Sequence, residues 1–185
     1  MKLYCGINVD KLKLIGEGTQ GKVYLLTPNK VIKVFKKKKS CKDQLDILLN
    51  GQKSKFFTTI YDYDEDSIIM EFLPGEDLKK YLKKNKLTKE IALQLVEIFR
   101  DFKMLGFKRV DIRLLHIFLQ PDKSLKVIDP RKSYIRETSY PKSMLRGLDK
   151  LNMLEDFWNF IKEKYPNEYS EWKYKFDKKL EFDKK

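Results

Sequence analysis

Three glycines in six residues, Gly16, Gly18 and Gly21, stand between two segments that alternate as β-strands do. Lys11-Leu12-Lys13-Leu14-Ile15 enters this turn and Lys22-Val23-Tyr24-Leu25-Leu26 leaves it. Thr27-Pro28-Asn29-Lys30 has turn composition, and Val31 to Phe35 reads as a third strand. Connections this short impose an antiparallel meander. A Gly-x-Gly-x-x-Gly turn also opens dinucleotide-binding βαβ units, but there a long helix follows. Here a short turn and another strand follow. Glycines let a hairpin backbone lie against an anion with its N–H groups pointing inward, where a Cβ would clash. A hairpin that uses glycine only for tight turning is the alternative without a ligand.

The rest of the chain reads as more strand and then mostly helix. Residues 41–50 form a short amphipathic helix with Leu45, Ile47, Leu48 and Leu49 as its apolar side. Two strands follow, Phe57–Tyr63 and Ser67–Leu73, joined by Asp64-Glu65-Asp66. Pro74-Gly75 breaks the pattern, and Glu76–Lys84 reads as a polar helix. Thr88 can cap a helix carrying Ile91, Leu95, Ile98, Phe102 and Leu105, which Gly106 ends. Ile117–Leu119 and Leu125–Ile128 read as a hairpin around Gln120–Ser124. From Pro141 the chain is helical through Ile161, and beyond Pro166 a last helix carries Trp172, Tyr174 and Phe176.

Length and composition suit one domain or two small lobes, large enough to bury a core without disulfides. Cys5 and Cys41 lie 36 residues apart without CxxC spacing, so neither a zinc site nor a disulfide framework is indicated. No apolar run approaches the roughly 20 residues of a spanning helix. No signal peptide is evident, so no membrane association and a cytoplasmic location are the default. Of the 40 basic residues behind the net charge of +13, 34 are lysine, spread along the chain. The dense run Lys36-Lys37-Lys38-Lys39 suits a solvated strand end and loop, or attraction to RNA or another acidic partner. No basic motif interleaved with aromatics marks RNA binding.

Further motifs follow in order. Lys33 stands in the third strand between Ile32 and Val34 and points inward if that strand alternates. An inward lysine is costly without a partner. Arg109-Val110-Asp111-Ile112-Arg113-Leu114-Leu115-His116 contains the only histidine, and Val127-Ile128-Asp129-Pro130-Arg131 comes downstream. Together with the glycine turn and Val31-Ile32-Lys33, these four segments resemble, in order, the motifs of the protein kinase-like superfamily. The resemblance covers about residues 10–160 and is nearest to small bacterial Ser/Thr kinase-like proteins with a truncated C-lobe. RIO kinases and small tRNA-modification-associated kinases are similar in form.

That resemblance implies an α+β bilobal fold: an N-lobe over residues 1–73 with a five-stranded antiparallel sheet and one helix, then a minimal, mostly helical C-lobe over 74–185. It implies a phosphotransferase that uses ATP with Mg²⁺ or Mn²⁺ on a protein Ser or Thr hydroxyl, including its own. Gly16, Glu17, Gly18, Thr19, Gln20, Gly21 and Val23 would cover the nucleotide, and Lys33 would meet its phosphates. Met70 would be the gatekeeper, with backbone groups of Glu71 and Leu73 at the adenine edge. Asp111 would be the catalytic base or aligner, Arg113 the γ-phosphate contact, and Asp129 the main metal ligand; a turn-capping aspartate is the other reading of Asp111. His116 replaces the family's magnesium-binding asparagine; imidazole suits softer divalent ions than magnesium. A packing role for His116 is the other reading. The helix acid expected to pair Lys33 is missing, leaving Asp43 and Gln44 as equal candidates. Pro130-Arg131 replaces Phe-Gly, Val110 replaces an arginine, and the activation segment is short. These departures leave two alternatives open: a pseudokinase or nucleotide-binding interaction module, and a small-molecule kinase of the aminoglycoside phosphotransferase type.

Overall fold

Alternation around the glycine turn becomes a sheet because each short turn returns the chain beside the strand it has left. A computed structural model describes residues 2–108, 111–128 and 138–183, with backbone alone over 179–183. The chain divides into two compact units, Met1–Pro74 with Lys126–Arg131, and Gly75–Leu125 with Lys132–Lys185. It is α+β, with a five-stranded sheet in the first unit and a helical core in the second.

In the first unit, β1 (Lys13–Glu17), β2 (Gly21–Thr27) and β3 (Lys30–Phe35) form the meander. Helix α1 (Lys38–Gly51) follows, then β4 (Ile60–Tyr63) and β5 (Ser67–Glu71). The strand order is β1-β2-β3-β5-β4, antiparallel at every step. Val23 and Ile68 lie opposite Lys33, and Met70 lies opposite Val31. Since paired residues share a face and successive residues alternate, Val23, Val31, Lys33, Ile68 and Met70 lie on one face. Tyr24, Ile32, Val34 and Ile69 lie on the other.

That second face is covered by the chain's own beginning. Tyr4 and Ile7 bridge across a turn in which Cys5 and Gly6 take positive φ (46° and 73°). Tyr4, Cys5, Ile7, Val9 and Leu12 pack with Ile32 and Ile69. The turn is held by Asp64, whose carboxylate accepts from the Cys5 N–H at 2.5 Å, the Asp66 N–H at 3.0 Å and the Ser67 N–H at 2.6 Å. The Ser67 hydroxyl donates to the same carboxylate at 2.8 Å.

Helix α1 starts at Lys38, inside the lysine run, and buries Cys41, Gln44, Ile47, Leu48 and Gly51. This corrects the expected apolar side: Leu49 is 43% exposed, and the polar Gln44 takes a place in the buried stripe. The lysine run is largely spent locally. Lys38 pairs with Glu65, Lys39 with Asp43 at 3.2 Å, and the Lys36 ammonium donates to the Gly18 carbonyl at 3.3 Å.

The second unit opens with β6 (Glu76–Asp77) and α2 (Leu78–Leu82), where one longer helix was expected. Asp77 is the reason: its carboxylate caps α2 through the Lys80 N–H at 3.0 Å, while its backbone pairs with Phe118. Helix α3 (Lys89–Met104) begins at Thr88, whose hydroxyl accepts from the Ile91 N–H at 3.3 Å. It ends at Gly106, φ 75°, where N–H groups of Gly106 and Phe107 bond to Lys103 and Phe102 carbonyls. Strand β7 (Ile117–Leu119) turns into β8 (Leu125–Val127). The helical run after Pro141 is interrupted at Asn152 (φ 56°), giving α4 (Lys142–Asp149) and α5 (Leu154–Ile161); α6 (Pro166–Asp183) follows. Phe99 and Phe102 of α3, Phe157 of α5 and Trp172 of α6 are all but fully buried, and Phe99 meets Trp172 edge to face at 5.6 Å.

Candidate functional site

Residues singled out in the sequence fall in both units. In the first, the sheet brings Val23, Lys33 and Met70 to one face, and α1 lies against β3 and β5. Lys33 is half-buried, and its ammonium donates to the Gln44 side-chain oxygen at 2.6 Å. Of the two candidate partners, Gln44 therefore holds Lys33, while Asp43 is turned to Lys39. The lysine ammonium also lies 4.7 Å from the Phe35 ring centre. Gln44, a neutral amide, orients the ammonium and adds no counter-charge of its own.

The glycine turn is closed by the Gly18 N–H donating to the Gly21 carbonyl at 2.9 Å, and by the Lys36 N–H donating to the Gln20 carbonyl at 2.8 Å. Its three glycines are not equivalent. A Cβ at Gly21 would lie 1.9 Å from the Val34 carbonyl oxygen, so strand packing requires that glycine. At Gly16 the nearest atom would be 3.8 Å away, and at Gly18 nothing lies within 4 Å. Neither of these has positive φ. The chain's own packing therefore explains Gly21 and leaves Gly16 and Gly18 unexplained. Glu17 pairs with Lys22 at 3.9 Å. Thr19 and Gln20 complete the turn, with the Gln20 side-chain oxygen buried.

Met70 and Leu73 are buried, and Glu71 ends β5. The Glu71 N–H already donates to the Thr59 carbonyl at 2.9 Å, so that backbone group is spent inside the sheet. The Glu71 carboxylate receives Lys126 at 3.2 Å. Lys126 also donates to the Phe57 carbonyl at 3.1 Å, and the Val127 N–H donates to the Phe56 carbonyl at 2.7 Å. The segment that leads to Asp129 is thus moored to the first unit.

In the second unit, Asp111 precedes a single 3-10 turn, Leu114–His116. Its carboxylate accepts twice from one residue: the Ser143 N–H at 2.7 Å and the Ser143 hydroxyl at 2.6 Å. Helix α4 has Pro141 at its cap position, which supplies no side-chain acceptor, and Asp111 caps one N–H of its first turn, that of Ser143. The loop and helix also meet where Leu114 packs on Gly147; a Cβ there would lie 2.8 Å from a Leu114 methyl carbon. Arg113 has an exposed side chain, and its carbonyl accepts the His116 N–H at 2.9 Å. Ser143 was not singled out from sequence; the signal available was a serine two residues after a proline that starts a helix.

Asp129, Pro130 and Arg131 lie outside the described residues, as do Arg109 and Val110 and most of the segment between Asp129 and Pro141. Of the two residues named for a metal, His116 alone has a described place. Among the described residues, no three His, Cys, Asp or Glu side chains gather as a metal would need. Both cysteines are free thiols; burial pushes Cys41 up to about 12 and raises Cys5 as well, so neither is a reactive thiolate at neutral pH. Among the described residues no helix is long and apolar enough to cross a membrane.

No family model matches the chain. Over 126 residues it is 28% identical to the "Putative serine/threonine-protein kinase YrzF" of Bacillus subtilis (strain 168), an overlap covering 65% of this chain and 59% of that protein. The chain thus spans about three fifths of the length of the curated relative it matches. This similarity supports a kinase-like relationship.

Proposed function

We propose that the chain is an ATP-dependent phosphotransferase that moves the γ-phosphoryl group to a Ser or Thr hydroxyl of a protein. The observation that carries this reading is the first unit's sheet face. Lys33 stands there opposite Val23, its ammonium oriented by the Gln44 side-chain oxygen. Beside it is a glycine turn in which a Cβ at Gly18 would meet nothing within 4 Å. Phosphoryl transfer asks mainly for positioning and charge stabilisation, and these are the groups that supply both.

In this reading the turn's backbone N–H groups and Lys33 hold the phosphates. Met70, Glu71 and Leu73 line the base, with the Glu71 N–H excluded from that contact because Thr59 holds it. Asp111 takes the proton of the incoming hydroxyl, and Arg113, exposed beside it, steadies the γ-phosphate with its planar fork. Asp129 and His116 would hold Mg²⁺ or Mn²⁺, which supplies charge neutralisation at the phosphate oxygens when bound. The imidazole is the reason to expect better function with Mn²⁺ than the family's asparagine would give.

A second reading, a nucleotide-binding module without turnover, is favoured by two observations. Gln44 brings no charge to Lys33, and Asp111 is engaged by Ser143. One experiment separates the readings. The purified chain is incubated with γ-labelled ATP and either Mg²⁺ or Mn²⁺, beside Asp111→Ala and Asp129→Asn. Label transferred to protein, and lost in both variants, supports the phosphotransferase. Nucleotide binding by calorimetry with no transfer in either metal supports the module instead.

A further inference from the structure

Ser143 presents its hydroxyl to the carboxylate that the proposed chemistry needs as a base. The Ser143 Oγ lies 2.6 Å from one Asp111 oxygen, while the Ser143 N–H lies 2.7 Å from the other. Two attachments to one carboxylate fix both the position and the direction of the hydroxyl. A general base has to lie about 2.6–3.2 Å from the oxygen whose proton it takes, and this pair meets that requirement. Capping alone needs only the N–H bond; the hydroxyl is additional. Helix α4 is pressed on the Asp111 loop at Leu114 and Gly147, so the pair does not depend on its two hydrogen bonds alone.

We infer that Ser143 is this chain's own acceptor, phosphorylated in cis from ATP. The inference rests on the phosphotransferase reading. In the step, the Ser143 Oγ forms a bond to the γ-phosphorus as the bond from that phosphorus to the β,γ-bridging oxygen breaks. ADP leaves with that electron pair, and the hydroxyl proton passes to Asp111. The product places a phosphate of about −1.5 to −2 charge against the Asp111 carboxylate, a like-charge contact that drives the two apart. Modification uses up the one Ser143 hydroxyl and breaks its hydrogen bond to Asp111.

The test starts from full-length chain treated with a phosphatase that is then removed. It is incubated with ATP and Mg²⁺ or Mn²⁺, together with a library of Ser- and Thr-containing peptides, and phosphate is located by mass spectrometry. Phosphate on Ser143, approaching one per chain at a per-molecule rate independent of protein concentration, is the expected result. Ser143→Thr should keep self-labelling and Ser143→Ala should lose it; the mapping on the unaltered chain stands even if a variant misfolds. Phosphate on the peptides or on other residues, with Ser143 unmodified, overturns this inference and leaves the phosphotransferase reading intact. A labelling rate per molecule that rises with protein concentration overturns transfer in cis. No phosphate on any acceptor overturns both.

Discussion

Lys33 is held by an amide, and this choice has measurable consequences. Replacing Gln44 with leucine removes an acceptor from a half-buried ammonium. The expected cost is about 1 kcal/mol, read as a lower urea midpoint, together with weaker ATP binding by calorimetry. The glycines make a sharper contrast. Gly21→Ala forces a carbon to within 1.9 Å of the Val34 carbonyl oxygen. It should cost about 3 kcal/mol or more. Gly18→Ala meets nothing within 4 Å. It should leave stability within about 0.5 kcal/mol while lowering ATP affinity. Equal effects of the two substitutions on stability would remove the reason for assigning Gly18 to a ligand. Asp64 gives a pH prediction. Its burial disfavours ionisation, but bonds from Cys5, Asp66 and Ser67 outweigh that and lower its pKa below the ordinary 3.8. A lowered folded value means the contribution is present above the unfolded pKa and is lost as pH falls through the folded one. Acid titration should therefore weaken the chain below about pH 4, and Asp64→Asn should lose less stability than the unaltered chain over that range.

At the level of elements, signals that depend on local chemistry were readable and those that depend on distant partners were not. Thr88 and Gly106 delimit α3 because caps are satisfied within one turn. Thr88→Ala should cost about 1 kcal/mol, measured by thermal or urea unfolding. Asp77 was legible as part of a polar segment, but not as the point where strand becomes helix. Helix α1 misled the periodicity reading because its buried stripe includes Gln44, a polar residue there to meet Lys33 across 11 positions. The opening residues carried no strand or helix pattern at all. Their packing on Ile32 and Ile69 depends on Asp64, 59 residues beyond Cys5, a contact no local pattern announces.

Across the whole molecule, the division falls after Pro74, near the break read from Pro74-Gly75, but Lys126–Arg131 returns to the first unit. The mooring of Lys126 and Val127 on Phe56, Phe57 and Glu71 explains that return, and it pairs segments too far apart in sequence to be foreseen. The order of the motifs was legible because each is a short string. The engagement of Asp111 by Ser143 was not, because it joins two strings 32 residues apart. A resting catalytic base and a structural cap would both make that pair, so turnover is the question to settle. The most direct measurement is ADP formation from ATP with Mg²⁺ or Mn²⁺ by the unaltered chain, Lys33→Met and Lys30→Met. Lys30 sits on the same strand but stands over the Tyr61 ring, 4.3 Å from its centre. If the chain is a phosphotransferase built on Lys33, Lys33→Met falls by about 100-fold or more and Lys30→Met stays within a few-fold. Turnover that survives Lys33→Met, or no turnover in the unaltered chain with either metal, contradicts it.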